Sequence, residues 1–84
     1  MIIAWTPTAW EDYLYWQQTD KEKVLKINEL IKDCKRNSFS GLGKPEPLKG
    51  NLKGAWSRRI NQEHRLVYKV TDNSIVILQC RFHY

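Results

Sequence analysis

Apolar residues recur along this chain with two periods, and the switch from one to the other lays out the fold. Met1 to Trp5 is a short run of strand length. Thr6-Pro7 follows, an N-cap residue with proline at the first helical position, while Thr8 with Glu11 forms a competing capping box two residues later. Either start places Trp10, Tyr13, Leu14 and Gln17 on one side of a first helix, as an aromatic stripe. Thr19-Asp20-Lys21-Glu22 is a second capping signal, and Val24, Ile27, Ile31 and Cys34 then step by threes and fours. This spacing predicts a second amphipathic helix, with Lys23, Lys26, Lys32, Lys35 and Arg36 on or near its solvated face. The helices are expected to form a hairpin packed on a sheet.

From Ser38 to Gly54 the chain has four Gly and two Pro and few apolar residues, so a loop is expected there. Pro45 and Pro47 restrict the backbone and bias Lys44 and Glu46 toward extended geometry, so that a stiffened segment presents Glu46. Beyond it the period falls to two. Residues 55–61, 65–70 and 74–84 read as antiparallel strands separated by Gln62-Glu63-His64 and Thr71-Asp72-Asn73. Alternation sets Trp56, Arg58 and Ile60 against Ser57, Arg59 and Asn61, and Leu66, Tyr68 and Val70 against Arg65, Val67 and Lys69. In the last strand it sets Val76, Leu78, Cys80 and Phe82 against Ile77, Gln79, Arg81 and His83. If the first-named sets face the helices, Arg59, Arg65, Lys69, Arg81 and His83 share a basic open face. The expected fold is α+β: one domain over 1–84, with an N-terminal strand and a two-helix hairpin on one face of a mainly antiparallel sheet.

Composition narrows the partners more than the fold. A chain of 84 residues buries only about 60% of its unfolded surface, and four Trp, four Tyr and two Phe partly compensate for so small a core. A folded monomer or small homodimer is expected. The net charge of +5 calls for a polyanionic or acidic partner: nucleic acid first, an acidic protein second. Cys34 and Cys80 lie in apolar periodic segments, which suggests buried thiols rather than a disulfide framework. No charged and apolar leader and no apolar run of about 20 residues is present, so the expected location is the cytoplasm, with no membrane association.

Three residues on or beside the open face match one chemistry. RNA cleavage by internal transesterification needs a base for the 2′-hydroxyl, an acid for the departing 5′-oxygen and a cation for the phosphorane charge. Glu46, His83 and Arg65 fit those roles in that order. Lys49 and Arg59 suit flanking phosphates, Arg81 and Lys69 add positive charge to the same face, and Tyr84 could orient a nucleotide or assist proton transfer. A glutamate with an ordinary pKa of about 4.3 is a feeble base at neutral pH, so such a site should be slow without help in aligning RNA. No ligand spacing for a metal and no Ser or Cys nucleophile arrangement appears, and no cofactor is expected. His64 reads as a turn residue without a catalytic role. The residues alone leave a second reading open: a non-catalytic basic module that holds nucleic acid or an acidic protein.

KINELIKD, GKPEPLK, WSRRI followed by EHRLVY, and the closing CRFHY closely resemble the YoeB toxins, within the RelE-like group of bacterial toxin-antitoxin systems. Trp5, the run Asp12 to Trp16 and Thr19-Asp20-Lys21 extend the likeness over essentially the whole chain. The resemblance implies a microbial-RNase-like fold and a toxin that enters the A site of the 70S ribosome and cuts the bound mRNA. It also implies Glu46 as general base, His83 as general acid, Arg65 as transition-state cation, Tyr84 as a further active-site group, and Lys49 and Arg59 as RNA contacts. An acidic, partly disordered antitoxin similar to YefM is implied as partner, the two together binding their promoter DNA.

Overall fold

The capping residues in a computed structural model, which describes residues 1–83, fix where each helix begins. The elements are β1 (Ile2–Trp5), α1 (Pro7–Thr19), α2 (Lys21–Arg36), β2 (Glu46–Pro47), β3 (Trp56–Arg59), β4 (Arg65–Val70) and β5 (Ser74–Gln79), with a 3-10 turn at Gly50–Leu52. Thr6 caps α1: its hydroxyl accepts from the Ala9 amide at 3.1 Å and donates to the Leu78 carbonyl at 2.9 Å. One side chain therefore starts the helix and ties it to β5. Asp20 caps α2 by accepting from the Glu22 amide, and the bend between the helices is one residue long.

All five strands form one sheet in the order β1-β5-β4-β3-β2. β1 pairs with β5 in parallel and the other neighbours are antiparallel. The hairpin of α1 and α2 covers one face, where Ala9, Trp16, Ile27, Leu30, Ile31 and Cys34 meet Leu66, Tyr68, Ile75, Ile77 and Cys80. Cys34 and Cys80 are free, buried thiols. Burial pushes the Cys80 thiol up to about 12 and raises Cys34 as well.

Four details depart from the sequence pattern. The face that α1 buries runs through Ala9 and Trp16, with Tyr13 partly buried, whereas Trp10 and Gln17 are exposed; the aromatic stripe lies one position away from the predicted one. Lys44 stands at φ 52 rather than extended, and Glu46-Pro47 is not loop but a two-residue edge strand paired with β3. The last strand stops at Gln79, and its parity is reversed over Val76 to Leu78. Val67 pairs with Gln79 while Tyr68 pairs with Ile77, so Leu78 is an extra residue, a bulge. A run such as Ile75-Val76-Ile77-Leu78, apolar on both faces, carries no alternation from which its orientation could be read. Finally, the open face is not wholly polar: Leu48, Ala55 and Val67 form a small second core there, with Leu52 and Leu78 against it.

Arg58 takes the core-facing parity that alternation assigned to it, and its side chain is fully buried. Its Nη1 donates to Asp33 Oδ2 at 2.7 Å and to the Leu42 carbonyl, its Nη2 to the Asn37 and Ser40 carbonyls, and its Nε to the Tyr68 hydroxyl. Tyr68 passes its own proton to the Ser38 carbonyl at 2.7 Å. The loop after α2 is thus wrapped around one cation. Gly41, at φ 110, packs so closely on Asp33 that a side chain would collide with the carboxylate.

Because every donor of Arg58 is committed, Arg58→Met should leave the Asn37, Ser40 and Leu42 carbonyls without their guanidinium donor and Asp33 without its buried cation, and cost about 3 kcal/mol or more, measured as a lower urea midpoint. The Leu42 amide and then Arg58 hold the Asp33 carboxyl below its ordinary 3.8. Its stabilising contribution is therefore complete above 3.8 and is lost as pH falls through the lowered value. Asp33→Asn should flatten the fall in stability on acidification in that range, read from urea unfolding of both proteins at matched pH.

Candidate active site

Sheet register decides which side chains can meet on the open face. Cα partners run Glu46–Ser57, Ser57–Val67 and Val67–Gln79, so these four residues form one row across the sheet. Arg59–Arg65 is the adjacent same-face row. Neighbouring strands lie about 4.8 Å apart and same-face residues along a strand about 7 Å apart, so Glu46 and Arg65 stand roughly 12 Å apart at Cα. Both side chains are long enough to close most of that span. Glu46, Arg59, Lys49 and Lys69 are exposed, with Lys49 at the start of the 3-10 turn and Lys69 one same-face step from Val67, away from Arg65.

Arg65 is buried, and its Nη1 donates to the Asn61, Gln62 and His64 carbonyls at 2.8, 3.2 and 3.1 Å. The turn before β4 is wrapped onto the guanidinium, which holds a full positive charge at the edge of the row. Asn61 shapes the same turn from within, its side-chain oxygen accepting from the Glu63 and His64 amides.

After Gln79 the chain leaves the strand and turns, and the turn is held at nearly every residue. The Cys80 amide donates to Asp12 Oδ2 at 3.1 Å, and the Cys80 carbonyl accepts from Trp16 Nε1 at 2.8 Å. The Phe82 amide donates to His64 Nδ1 at 2.7 Å, and the Phe82 carbonyl accepts from the Arg65 amide at 3.0 Å. Gln79 Nε2 reaches the carbonyls of Arg81 and His83. Phe82 itself sits at φ 64, a left-handed conformation that costs a residue with a side chain roughly 1–2 kcal/mol. The surrounding hydrogen bonds offset that cost. Burial raises the Asp12 carboxyl, against the lowering effects of the Cys80 amide and Arg81.

Of the residues singled out in the sequence, Glu46, Arg59, Arg65 and Lys69 share the open face, and His83 follows the clamped turn as an exposed residue bonded through its carbonyl to Gln79 of the Glu46 row. Arg81 does not join them. Its guanidinium lies 3.5 Å from the centre of the Tyr15 ring of α1 and 4.4 Å from that of Phe82, on the helix side near Asp12. The strand ends at Gln79 and the chain turns away at Cys80, so the alternation on which its placement rested no longer applies at residue 81. Tyr84, and with it the role expected of it, lies outside the described residues. Sequence reasoning missed His64, which is 7% exposed, and the paired grip of Asp12 and Trp16. A polar residue within an otherwise aromatic helix face, as Asp12 is, was the available signal. Among the described residues no group of three or more His, Cys, Asp or Glu could hold a metal ion, and no helix is long and apolar enough to cross a membrane.

Residues 5–84 match the family described as YoeB-like toxin of bacterial type II toxin-antitoxin system. Toxin YoeB of Escherichia coli strain K12 is 64% identical over 84 residues, covering 100% of each chain. Among solved structures, the YoeB/ParE toxin from Agrobacterium tumefaciens superposes with a TM-score of 0.97 at 55% identity, over 100% of both chains. The YoeB dimer from Staphylococcus aureus gives 0.94 at 58% identity, and the heterotetrameric YoeB-YefM toxin-antitoxin complex from the same organism gives 0.93 at 58%; each comparison covers 100% of this chain and 98% of the other.

The grip of α1 on the turn is open to direct measurement. Trp16→Phe keeps the ring but strands the buried Cys80 carbonyl, and should lower unfolding stability by about 1–2 kcal/mol in urea titrations.

Proposed function

The chain belongs to the YoeB-like toxins of bacterial type II toxin-antitoxin systems, and on that premise we propose that it is an endoribonuclease that cuts mRNA in the A site of the 70S ribosome. The observation that carries this reading is the register that sets Glu46, Arg59 and Arg65 on one face of the sheet, at the edge where the clamped turn delivers His83.

In the proposed reaction Glu46 takes the proton of the 2′-hydroxyl as that oxygen attacks the adjacent phosphorus. Arg65 stabilises the charge gathered on the phosphorane, and His83 donates a proton to the departing 5′-oxygen. The products are a 5′-hydroxyl and a 2′,3′-cyclic phosphate, which can open to a 3′-phosphate. Lys49 and Arg59 hold the flanking phosphates, and Lys69 extends the positive surface. A carboxylate exposed to water is a weak base at neutral pH, and the cationic residues of an open sheet face attract RNA without by themselves aligning it. Most of the missing rate must then come from a large partner that fixes the nucleotide, which is the physical case for dependence on the ribosome.

The S. aureus relatives supply the partner reading: one is a YoeB-YefM complex and another a YoeB dimer. We extend both to this chain, as binding by an acidic YefM-like antitoxin that blocks the basic face and as self-association into a homodimer. Promoter DNA is bound only through the toxin-antitoxin complex, and the toxin works in the cytoplasm.

Glu46→Gln and His83→Gln alter exposed residues. Each should fold and bind antitoxin like the parent while losing at least about a hundredfold in cleavage of ribosome-bound message. Arg65→Met should lose cleavage and some stability together, because the Asn61 and Gln62 carbonyls lose their guanidinium donor. Cut ends mapped on programmed ribosomes, beside naked RNA, give the readout; equal rates on both substrates would end the ribosome requirement. A triple variant as toxic to cells as the parent would leave the face a binding surface only.

A further inference from the structure

We infer that His64 is the positioning residue for the turn that carries His83, acting through the lone pair of its Nδ1. The consequence for catalysis rests on the cleavage proposed above; the positioning itself does not.

The inference begins with a donor and an acceptor. A backbone amide can only donate, so the 2.7 Å contact from the Phe82 amide requires an unprotonated Nδ1. The imidazole is therefore neutral and carries its proton on Nε2, which points toward Glu63 Oε1 at 3.6 Å. One further contact packs on the ring and two hold the backbone that carries it. Trp16 meets it edge-on at 4.8 Å between ring centres, Asn61 accepts from its amide at 2.7 Å, and the Ile60 amide donates to its carbonyl at 3.0 Å. His64 is thus held by α1 and by the β3–β4 turn as well as by the segment it contacts.

What it holds is Phe82, whose left-handed backbone turns the chain after β5. Phe82 has φ 64 and an exposed ring, so its ring supplies little burial to keep it there. Its amide and carbonyl are gripped by consecutive residues, His64 through the ring and Arg65 through the backbone amide. Arg65 is also the proposed transition-state cation. Two adjacent residues at the entry to β4 therefore hold both the cation and the chain just before His83.

Two isosteric variants separate the acceptor from the shape. His64→Asn places its side-chain oxygen where Nδ1 stands; His64→Gln places its amide where Nε2 stands and leaves the Phe82 amide without a partner. Hydrogen exchange of the Phe82 amide should be at least about tenfold faster in His64→Gln than in the parent, and near the parental rate in His64→Asn. On programmed ribosomes His64→Gln should lower kcat by about tenfold or more with KM within about twofold, and His64→Asn should recover most of the rate. Equal protection of Phe82 in the parent and His64→Gln would overturn the inference whatever the cleavage data. If the parent cuts no RNA, the proposed function fails while the exchange comparison still decides the positioning. Should neither variant fold, the nitrogen spectrum of the parent decides: an unprotonated Nδ1 coupled to the Phe82 amide proton supports the assignment, and a protonated Nδ1 overturns it.

Discussion

A cation with no exposed surface governs where the acidic side of the candidate site can stand. Arg58 binds Asp33 on α2 and the carbonyls of Asn37, Ser40 and Leu42 at once, so the chain leaving α2 folds back on β3. Gly43 then accepts from the Arg59 amide at 2.7 Å, and its φ of 79, with Leu30 and the Arg58 side chain close by, leaves no room for a side chain. Three residues later Glu46 enters the sheet against Ser57. An isolated charge in such a place would be ruinous; with five donor contacts satisfied it becomes the fixed point from which the loop is measured.

The opposite side of the site is held by a different device. There the grip comes from α1, through Asp12 and Trp16, and from the turn into β4, through His64 and Arg65. β3 and β4 carry both anchors, since Arg58 and Arg59 end one strand while His64 and Arg65 open the other. The short hairpin between them is thus the common frame for Glu46, the proposed base, on one flank and His83, the proposed acid, on the other. The second core of Leu48, Ala55 and Val67, on the same face as the site, stiffens that frame from the side away from the helices.

Much of this was readable from residue order, and the unread part has a consistent cause. Helix starts were visible because capping is local chemistry: Thr6-Pro7 and Asp20 announce themselves within a few residues. The faces of β3 and β4 were visible because polar and apolar residues alternate there. Alternation failed where both faces are apolar, at Ile75 to Leu78, and where the chain departs from the strand, so Arg81 went to the wrong side. The grip on Cys80 and Phe82 could not be read at all, because it joins residues 18 to 68 positions apart that no local rule connects. His64 looked like an ordinary turn residue because its partner is a backbone amide, which leaves no mark in the sequence.

The parallel pairing of β1 with β5 brings the order of synthesis into the picture. Among the described residues β1 is an edge strand that pairs with β5 alone, the strand farthest from it in chain order. While the chain is being translated, the first strand has no ladder to join, and α1 has no Cys80 backbone to bind. The local helical contacts can form early, but the long-range ones must wait for residues 74–83 to emerge. A chain that lacks β5 and the turn after it therefore has neither the β1–β5 pairing nor the clamp on Cys80 and Phe82, so the sheet and the candidate site close in one step.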